Sequence, residues 1–149
     1  MMRCFVDTNV FLRYLTDDVP EQASHVEDLL RKAKNGELTL VTSALVVAEI
    51  VWTLESYYGL PKDTVANKVT AILNTPGLEV EHAHLIAEAV VLYAAENVDY
   101  ADAFNACWMR EHGIRRAYTF DQRHFARFGD IVALLPGDPP PDRNPLSVI

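Results

Sequence analysis

Short apolar runs alternate with longer amphipathic segments along this chain, and turn-forming residues separate them. The short runs predict five β-strands, at residues 3–6, 38–42, 78–80, 117–120 and 131–134. The longer segments predict helices at residues 10–16, 20–35, 44–58, 61–73, 82–96, 100–112 and 121–127. Strands that alternate with helices are typical of an α/β fold. We therefore predict a three-layer sandwich, in which a central parallel sheet of about five strands is flanked by helices.

Residues that favour helix ends mark several of these boundaries. Pro20 suits the first turn of a helix, Ser43 is a good N-terminal cap, and Gly59 favours a helix end. Proline and glycine accumulate at residues 136–141, where neither a helix nor a central strand can continue. We predict one domain over residues 1–135 and a Pro-rich C-terminal tail over residues 136–149.

The composition narrows the class of protein. Half of the 149 residues are hydrophobic, which is enough for the core of one domain. The longest run without a charge, residues 38–48, is too short to cross a bilayer, so we expect no membrane association and a soluble, cytoplasmic protein. A formal net charge of −8 argues against broad, non-specific binding to nucleic acid. It does not exclude a nuclease, because the acids of a nuclease can be concentrated around metal ions.

Four carboxylates stand in unusually apolar sequence. Asp7 and Asp121 each follow a predicted strand, Glu49 is the one charge in residues 43–54, and Asp102 lies early in the helix that begins near residue 100. A buried carboxylate is costly unless it is paired or binds a metal ion. No Lys or Arg lies at helical spacing from Glu49, so a local ion pair cannot satisfy it.

The predicted topology brings these acids together. Asp7 and Asp121 leave the carboxyl ends of parallel strands, which open onto the same edge of a sheet. Several acids at one edge repel one another unless cations neutralise them. Oxygen ligands without cysteine or paired histidine favour Mg²⁺ or Mn²⁺ over zinc.

Each acid also has a simpler interpretation. Asp7 and Asp121 could cap the helices that follow them, and Asp102 could be a first-turn charge favoured by the helix dipole. Glu49 could point outward from a helix that is less buried than its sequence indicates. For Asp99, support of the metal ligands and plain solvent exposure are equally reasonable. His124, close after Asp121, could lie at the rim of the site.

Four segments resemble, in order, the motifs of PIN domains, and most of all those of the VapC toxins of bacterial and archaeal toxin–antitoxin pairs. They are residues 5–18 (FVDTNVFLRYLTDD), 47–50 (VAEI), 99–106 (DYADAFNA) and 119–125 (TFDQRHF). The resemblance spans residues 5–125, and the ordered set is more specific than any one segment. Family chains often carry a further acid between Asp121 and Phe125, and this chain has none there.

The resemblance implies a metal-dependent endoribonuclease that hydrolyses RNA phosphodiester bonds, forms a homodimer and is silenced by a cognate antitoxin protein. Asp7 and Asp102 would be the main ligands of Mg²⁺ or Mn²⁺, with Glu49 and Asp121 holding the ion directly or through water. Four residues would orient the catalytic acids or bound water without binding the ion themselves: Thr8, Asn9, Asp99 and Thr119.

Two further features bear on partners. Five of the 13 basic residues lie within residues 110–127, and we predict that Arg13, Arg116 and Arg123 bind the RNA backbone. The alternative is that arginines in this region pair with nearby acids such as Glu111 and Asp130. The predicted helix around Glu49 is apolar nearly all round, so neighbouring helices or a second subunit must cover it.

Other functions are less consistent with the residues. A phosphatase of the haloacid dehalogenase type needs a second acid two residues after Asp7, where this chain has Asn9. A receiver-like phosphorylation domain needs an acidic pair after strand 1 and a lysine at the last strand, and neither is present. A catalytically inactive PIN-fold module that binds RNA or protein is the alternative that keeps the fold, although all four acids are retained.

Overall fold

The structure is a computed structural model that describes residues 2–140. Every predicted strand and helix is present, with ends that differ by a few residues. The strands are β1 (Arg3–Phe5), β2 (Thr39–Thr42), β3 (Leu78–Val80), β4 (Arg116–Tyr118) and β5 (Val132–Leu134). The helices are α1 (Thr8–Thr16), α2 (Pro20–Lys34), α3 (Ala44–Ser56), α4 (Lys62–Leu73), α5 (Ala83–Ala95), α6 (Tyr100–Glu111) and α7 (Gln122–Phe125). The predicted α/β fold with parallel strands is confirmed.

The strands form two parallel sheets within the described residues. One sheet has the order β1-β2-β3, and the other pairs β4 with β5. The prediction of one central sheet of about five strands therefore needs correction, because its main sheet contains three. Apolar periodicity identifies which segments are strands, but it does not determine which strand edges exchange hydrogen bonds.

Local sequence signals set several of the helix boundaries. Pro20 is in the first turn of α2, and the Ser43 hydroxyl oxygen accepts a 3.2 Å hydrogen bond from the Val46 N–H at the start of α3. Gly77 has a φ of +81° in the turn before β3. A Cβ atom there would lie 2.5 Å from the carbonyl oxygen of Ala33, so glycine is required both by conformation and by space.

The core lies where α3, α4, α5 and α6 pack together. Tyr93 is fully buried in it, and its hydroxyl donates a 2.6 Å hydrogen bond to Glu55. Lys62 completes this group, because its Nζ lies 3.4 Å from the Glu55 carboxylate and 4.1 Å from the centre of the Tyr93 ring. The polar hydroxyl of a buried tyrosine is thereby satisfied.

Helix α3 buries one side and exposes another. Val47, Ile50 and Leu54 have essentially no solvent exposure, whereas Leu45 and Trp52 are 68% and 69% exposed. The neighbouring helices therefore cover part of the apolar helix, and a second apolar face remains open.

The predicted tail lies partly outside the described residues, which end at residue 140. Within the described part, the Asp138 carboxylate accepts a hydrogen bond from the Leu135 N–H and closes a turn after β5. The boundary near residue 135 stays a prediction. No helix within residues 2–140 is long and apolar enough to cross a membrane.

Candidate active site

The first group of candidate site residues joins the start of α1 to the middle of α3. Asp7 is the N-terminal cap of α1, and its Oδ1 accepts a 2.8 Å hydrogen bond from the Thr8 N–H. Thr8 is buried, and its hydroxyl donates a 2.9 Å hydrogen bond to Oε2 of Glu49. Thr8 therefore contacts both predicted acids, Asp7 through its N–H and Glu49 through its hydroxyl.

The second group brings Asp102 of α6 close to Asp121, which precedes α7. His124 Nδ1 lies 2.7 Å from Oδ2 of Asp121 and 3.2 Å from Oδ2 of Asp102. Both distances are those of ion pairs, which form when the imidazole is protonated. His124 is thus central to this group rather than at its rim. The spacing of three residues from Asp121 is consistent with their contact, but it gives no signal for the contact with Asp102 on α6.

The neighbouring carboxylates affect the ionisation of Asp102. The pKa of Asp102 is raised above its usual value, first by burial and then by the charge of Asp99, with a further contribution from Asp121. The charge and hydrogen bond of His124 act in the opposite direction. Asp102 therefore stands in a partly buried, negatively charged environment, where its ionised form is disfavoured unless a cation approaches.

A cleft between α3 and the start of α6 joins Glu49 of the first group to Asp99, which precedes Asp102 by three residues. It has a volume of about 490 Å³, and Glu49 and Asp99 both line it, together with Trp52 and Tyr100. The donor set that faces this region is carboxylate oxygen, which suits Mg²⁺ or Mn²⁺. Within residues 2–140, however, no three His, Cys, Asp or Glu side chains are placed closely enough to hold a metal ion. The acids are instead bridged by Thr8 and His124.

Most of these acids are less buried than their apolar surroundings indicate. Asp7, Glu49, Asp99 and Asp121 are exposed, and Asp102 is half-buried. The outward orientation of Glu49, which was the simpler interpretation of its sequence, is the one observed. Its neighbours on that side of α3, Leu45 and Trp52, are themselves exposed, so apolar sequence around an acid does not mean burial in this helix.

The other predicted supporting residues differ in their contacts. Thr119 Oγ1 accepts a 2.9 Å hydrogen bond from the Asp121 N–H and so shapes the turn that carries this acid. Asp99 caps α6 without a side-chain cap hydrogen bond. Asn9 is exposed, and its side chain forms no hydrogen bond within the described part of the chain.

The three predicted RNA-binding arginines have different surroundings. Arg13 Nε donates a 2.6 Å hydrogen bond to Gln22, and its guanidinium is 3.7 Å from Asp18. Arg116 is half-buried, and its Nε has no hydrogen-bond partner within residues 2–140. Arg123 is exposed, and across the same residues it forms neither a hydrogen bond nor an ion pair.

Arg110 and Arg127 are engaged by the protein. Arg110 binds Asp130 through two hydrogen bonds of 2.7 and 3.1 Å, which is the acid pairing that the sequence left open as the alternative. Arg127 donates to the carbonyl oxygens of Glu96 and Asn97. Of Arg13, Arg110, Arg116, Arg123 and Arg127, Arg123 is therefore the one whose guanidinium is both exposed and unpartnered within residues 2–140.

Comparison with known proteins gives two findings. A family model of the PIN domain matches residues 4–131. A VapC ribonuclease of Aquifex aeolicus (strain VF5) is 26% identical over 125 residues, which cover 83% of this chain and 90% of that protein. The family match includes all four acids, from Asp7 to Asp121, and His124.

Proposed function

Because this chain belongs to the PIN domain family, we propose that it is a metal-dependent endoribonuclease and the toxin of a toxin–antitoxin pair. The observation that carries the proposal is the gathering of Asp102, Asp121 and His124, with Asp99 close enough to raise the pKa of Asp102. Similarity to the VapC ribonuclease over most of both chains supports RNA as the substrate.

Asp7, Glu49, Asp102 and Asp121 would hold Mg²⁺ or Mn²⁺, since hard cations of this kind prefer carboxylate oxygens. When bound, such an ion activates water for attack and neutralises charge on the phosphate during in-line hydrolysis. A cation would also relieve the repulsion around Asp102. The side chains must rotate to close the ligand set, because the acids within residues 2–140 are not gathered around one point.

The chain's own residues position these acids. Thr8 orients Glu49 through the hydrogen bond from its hydroxyl. His124 fixes one oxygen each of Asp102 and Asp121, and Thr119 shapes the backbone at Asp121. Two exposed residues near the candidate ligands, Asn9 and Asp99, would orient water or substrate.

The charge distribution indicates how RNA and an antitoxin would bind. A protein with a net charge of −8 needs local cations to bind RNA, and Arg123 is the strongest candidate, with Arg13 and Arg116 as secondary contacts. A cognate antitoxin would block the same site with a cationic side chain directed at the carboxylates. We place this activity in the cytoplasm, where RNA is available.

The open face of α3 supports a homodimer. Leu45 and Trp52 lie seven residues apart on that face, and both are about two-thirds exposed. A second copy of the chain that contacts Leu45 and Trp52, and leaves the Glu49 carboxylate between them accessible, would remove this apolar surface from water.

A catalytically inactive PIN-fold module that binds RNA or protein is the second candidate. The observation that favours it is the lack, within residues 2–140, of three potential ligands placed to hold one ion. Retention of all four acids favours the nuclease.

The deciding experiment incubates the purified full chain with structured and unstructured RNAs, with Mn²⁺ or Mg²⁺ and, separately, with EDTA. We expect cleavage with the metal ions, none with EDTA, and none by Asp102→Asn protein. RNA binding without cleavage under any metal condition would favour the inactive module. Cleavage that persists in EDTA would contradict metal dependence.

A further inference from the structure

Phe120 is the most exposed large hydrophobic residue in the part of the chain that the structure describes, at 85%. Tyr118, two residues earlier in β4, is 55% exposed. Neither ring belongs to the core cluster of the described residues. An exposed phenylalanine gives up the stabilisation that burial of its ring would provide. Single exposed apolar residues are common, so the position of Phe120 must carry the argument.

That position is directly beside the candidate active site. Phe120 lies between Thr119, which bonds the Asp121 N–H, and Asp121, whose carboxylate is bound by His124. The Thr119 N–H donates a 2.9 Å hydrogen bond to the Leu134 carbonyl oxygen, which anchors the segment to the end of β5. The backbone on either side of Phe120 is therefore fixed, and its ring is presented to solvent one residue from a candidate metal ligand.

A cationic side chain lies close to Phe120 along the sequence. Arg123 follows Phe120 by three residues, is exposed, and forms no hydrogen bond or ion pair within residues 2–140. An aromatic ring for base stacking and a cation for the phosphate are the two elements by which proteins bind single strands of nucleic acid. The acids of the site repel the RNA backbone, so neighbouring contacts of this kind must provide affinity.

We propose that Phe120 stacks on the nucleobase beside the scissile phosphate. The proposal rests on the proposed ribonuclease function and adds to it the side chain that holds a base at the cleavage site. A base inside a double helix is stacked on both faces and offers no face to Phe120, whereas an unpaired base does.

The test measures RNA binding by the full chain in EDTA, where cleavage does not interfere. A fluorescein-labelled oligouridine and a duplex of equal length are titrated, and fluorescence anisotropy gives the Kd. We expect the single strand to bind more tightly than the duplex. Phe120→Ala and Phe120→Leu should each weaken single-strand binding by roughly five- to tenfold, and Phe120→Trp should retain it.

Tyr57→Ala is the matched control, because Tyr57 is 79% exposed at the end of α3, about two helical turns beyond Glu49. It should leave the Kd unchanged. All variants should keep the circular dichroism spectrum and Tm of the unaltered protein, since both rings are exposed.

Three outcomes would overturn the proposal. If Phe120→Leu binds the single strand as tightly as the unaltered protein, the ring does not stack. If Phe120→Ala instead changes the mass in solution, the ring contacts protein. In both cases metal-dependent cleavage by the unaltered protein would still support the ribonuclease function. If the unaltered chain neither binds nor cleaves RNA, both proposals fail.

Discussion

The Thr8 hydroxyl donates its hydrogen to the Glu49 carboxylate over 2.9 Å, and so ties the first turn of α1 to α3. The donor is buried, whereas the acceptor is exposed. The contact therefore restrains an acid that solvent alone would leave free to rotate. Glu49 has no Lys or Arg at helical spacing, which leaves Thr8 as the group that sets its orientation.

Thr8→Val keeps the shape of the side chain and removes this hydrogen bond. We expect the free energy of unfolding to fall by about 0.5–1.5 kcal/mol, the usual net value of one hydrogen bond. We also expect weaker Mn²⁺ binding, because Glu49 is no longer oriented. Urea unfolding and calorimetry check the two effects, and Thr8→Ser should restore both. Equal metal affinity in the Val variant would show that Thr8 has only a structural role.

Asp102→Asn should abolish metal-dependent cleavage while stabilising the metal-free protein. Activity should fall by at least roughly a hundredfold, because loss of a metal ligand lowers activity at least as much as loss of a residue that orients a ligand. The free energy of unfolding in EDTA should rise, because burial and the charges of Asp99 and Asp121 disfavour an ionised Asp102. Glu37→Gln, which removes an exposed acid, is the control and should change neither quantity. Unchanged activity in Asp102→Asn would remove this residue from the site.

The Arg110–Asp130 pair should contribute stability that depends on pH. The hydrogen bond from Arg110 holds the pKa of Asp130 below its usual value. A lowered pKa in the folded state means that the contribution is present at neutral pH and is lost as the pH falls below about 4. Both side chains are 46% exposed, so the contribution is about 0.2–1 kcal/mol. Asp130→Asn should therefore unfold more easily in urea at pH 7, and the difference should vanish near pH 3. A difference that persists at low pH would contradict the assignment.

Arg123→Gln should weaken RNA binding mainly through the phosphate backbone. Its guanidinium has no partner within residues 2–140, so its removal leaves no acid of this part of the protein unpaired. The slope of log Kd against log salt should fall by about one unit, and affinity should fall similarly for different sequences. Arg3→Gln serves as the control. Arg3 lies at the start of β1, and the variant loses only its exposed ion pair with Glu79. An unchanged salt slope in Arg123→Gln would exclude a phosphate contact.

Trp52→Arg should convert the expected homodimer into a monomer. The substitution places a charge in the open apolar face of α3. Because Trp52 is 69% exposed, the monomer should tolerate the change. Light scattering at micromolar concentration gives the mass. Ile114→Arg, at a 41% exposed apolar position just after α6, should leave the mass unchanged. A monomer mass for the unaltered protein would disprove the homodimer.

The elements of this fold could be predicted because their boundaries depend on local residues. Pro20 and Ser43 each act within a few positions along the chain, through ring geometry and capping. The division into two sheets could not be predicted in this way. It depends on which strand edges meet, and this is decided by long-range packing that periodicity does not encode.

The site shows the same contrast. The motif order predicts the acids, and the apolar sequence around them overestimates their burial, because α3 exposes Leu45 and Trp52 beside Glu49. The bridging position of His124 depends on the approach of α6 to α7, which spacing along one segment cannot give. The partners of Arg13 likewise come from the contact of α1 with α2.

The separation of β1 from β4 has a consequence for how this site changes during evolution. No ladder within residues 2–140 joins the two strands, so strand register does not determine the distance between Asp7 and Asp121. That distance depends on how closely α1, α3, α6 and α7 approach one another, and α6 carries small residues, Ala103 and Ala106, that are fully buried in the core. Exchange of a single methyl-sized group in the core can therefore alter the spacing of the carboxylates while every carboxylate is retained.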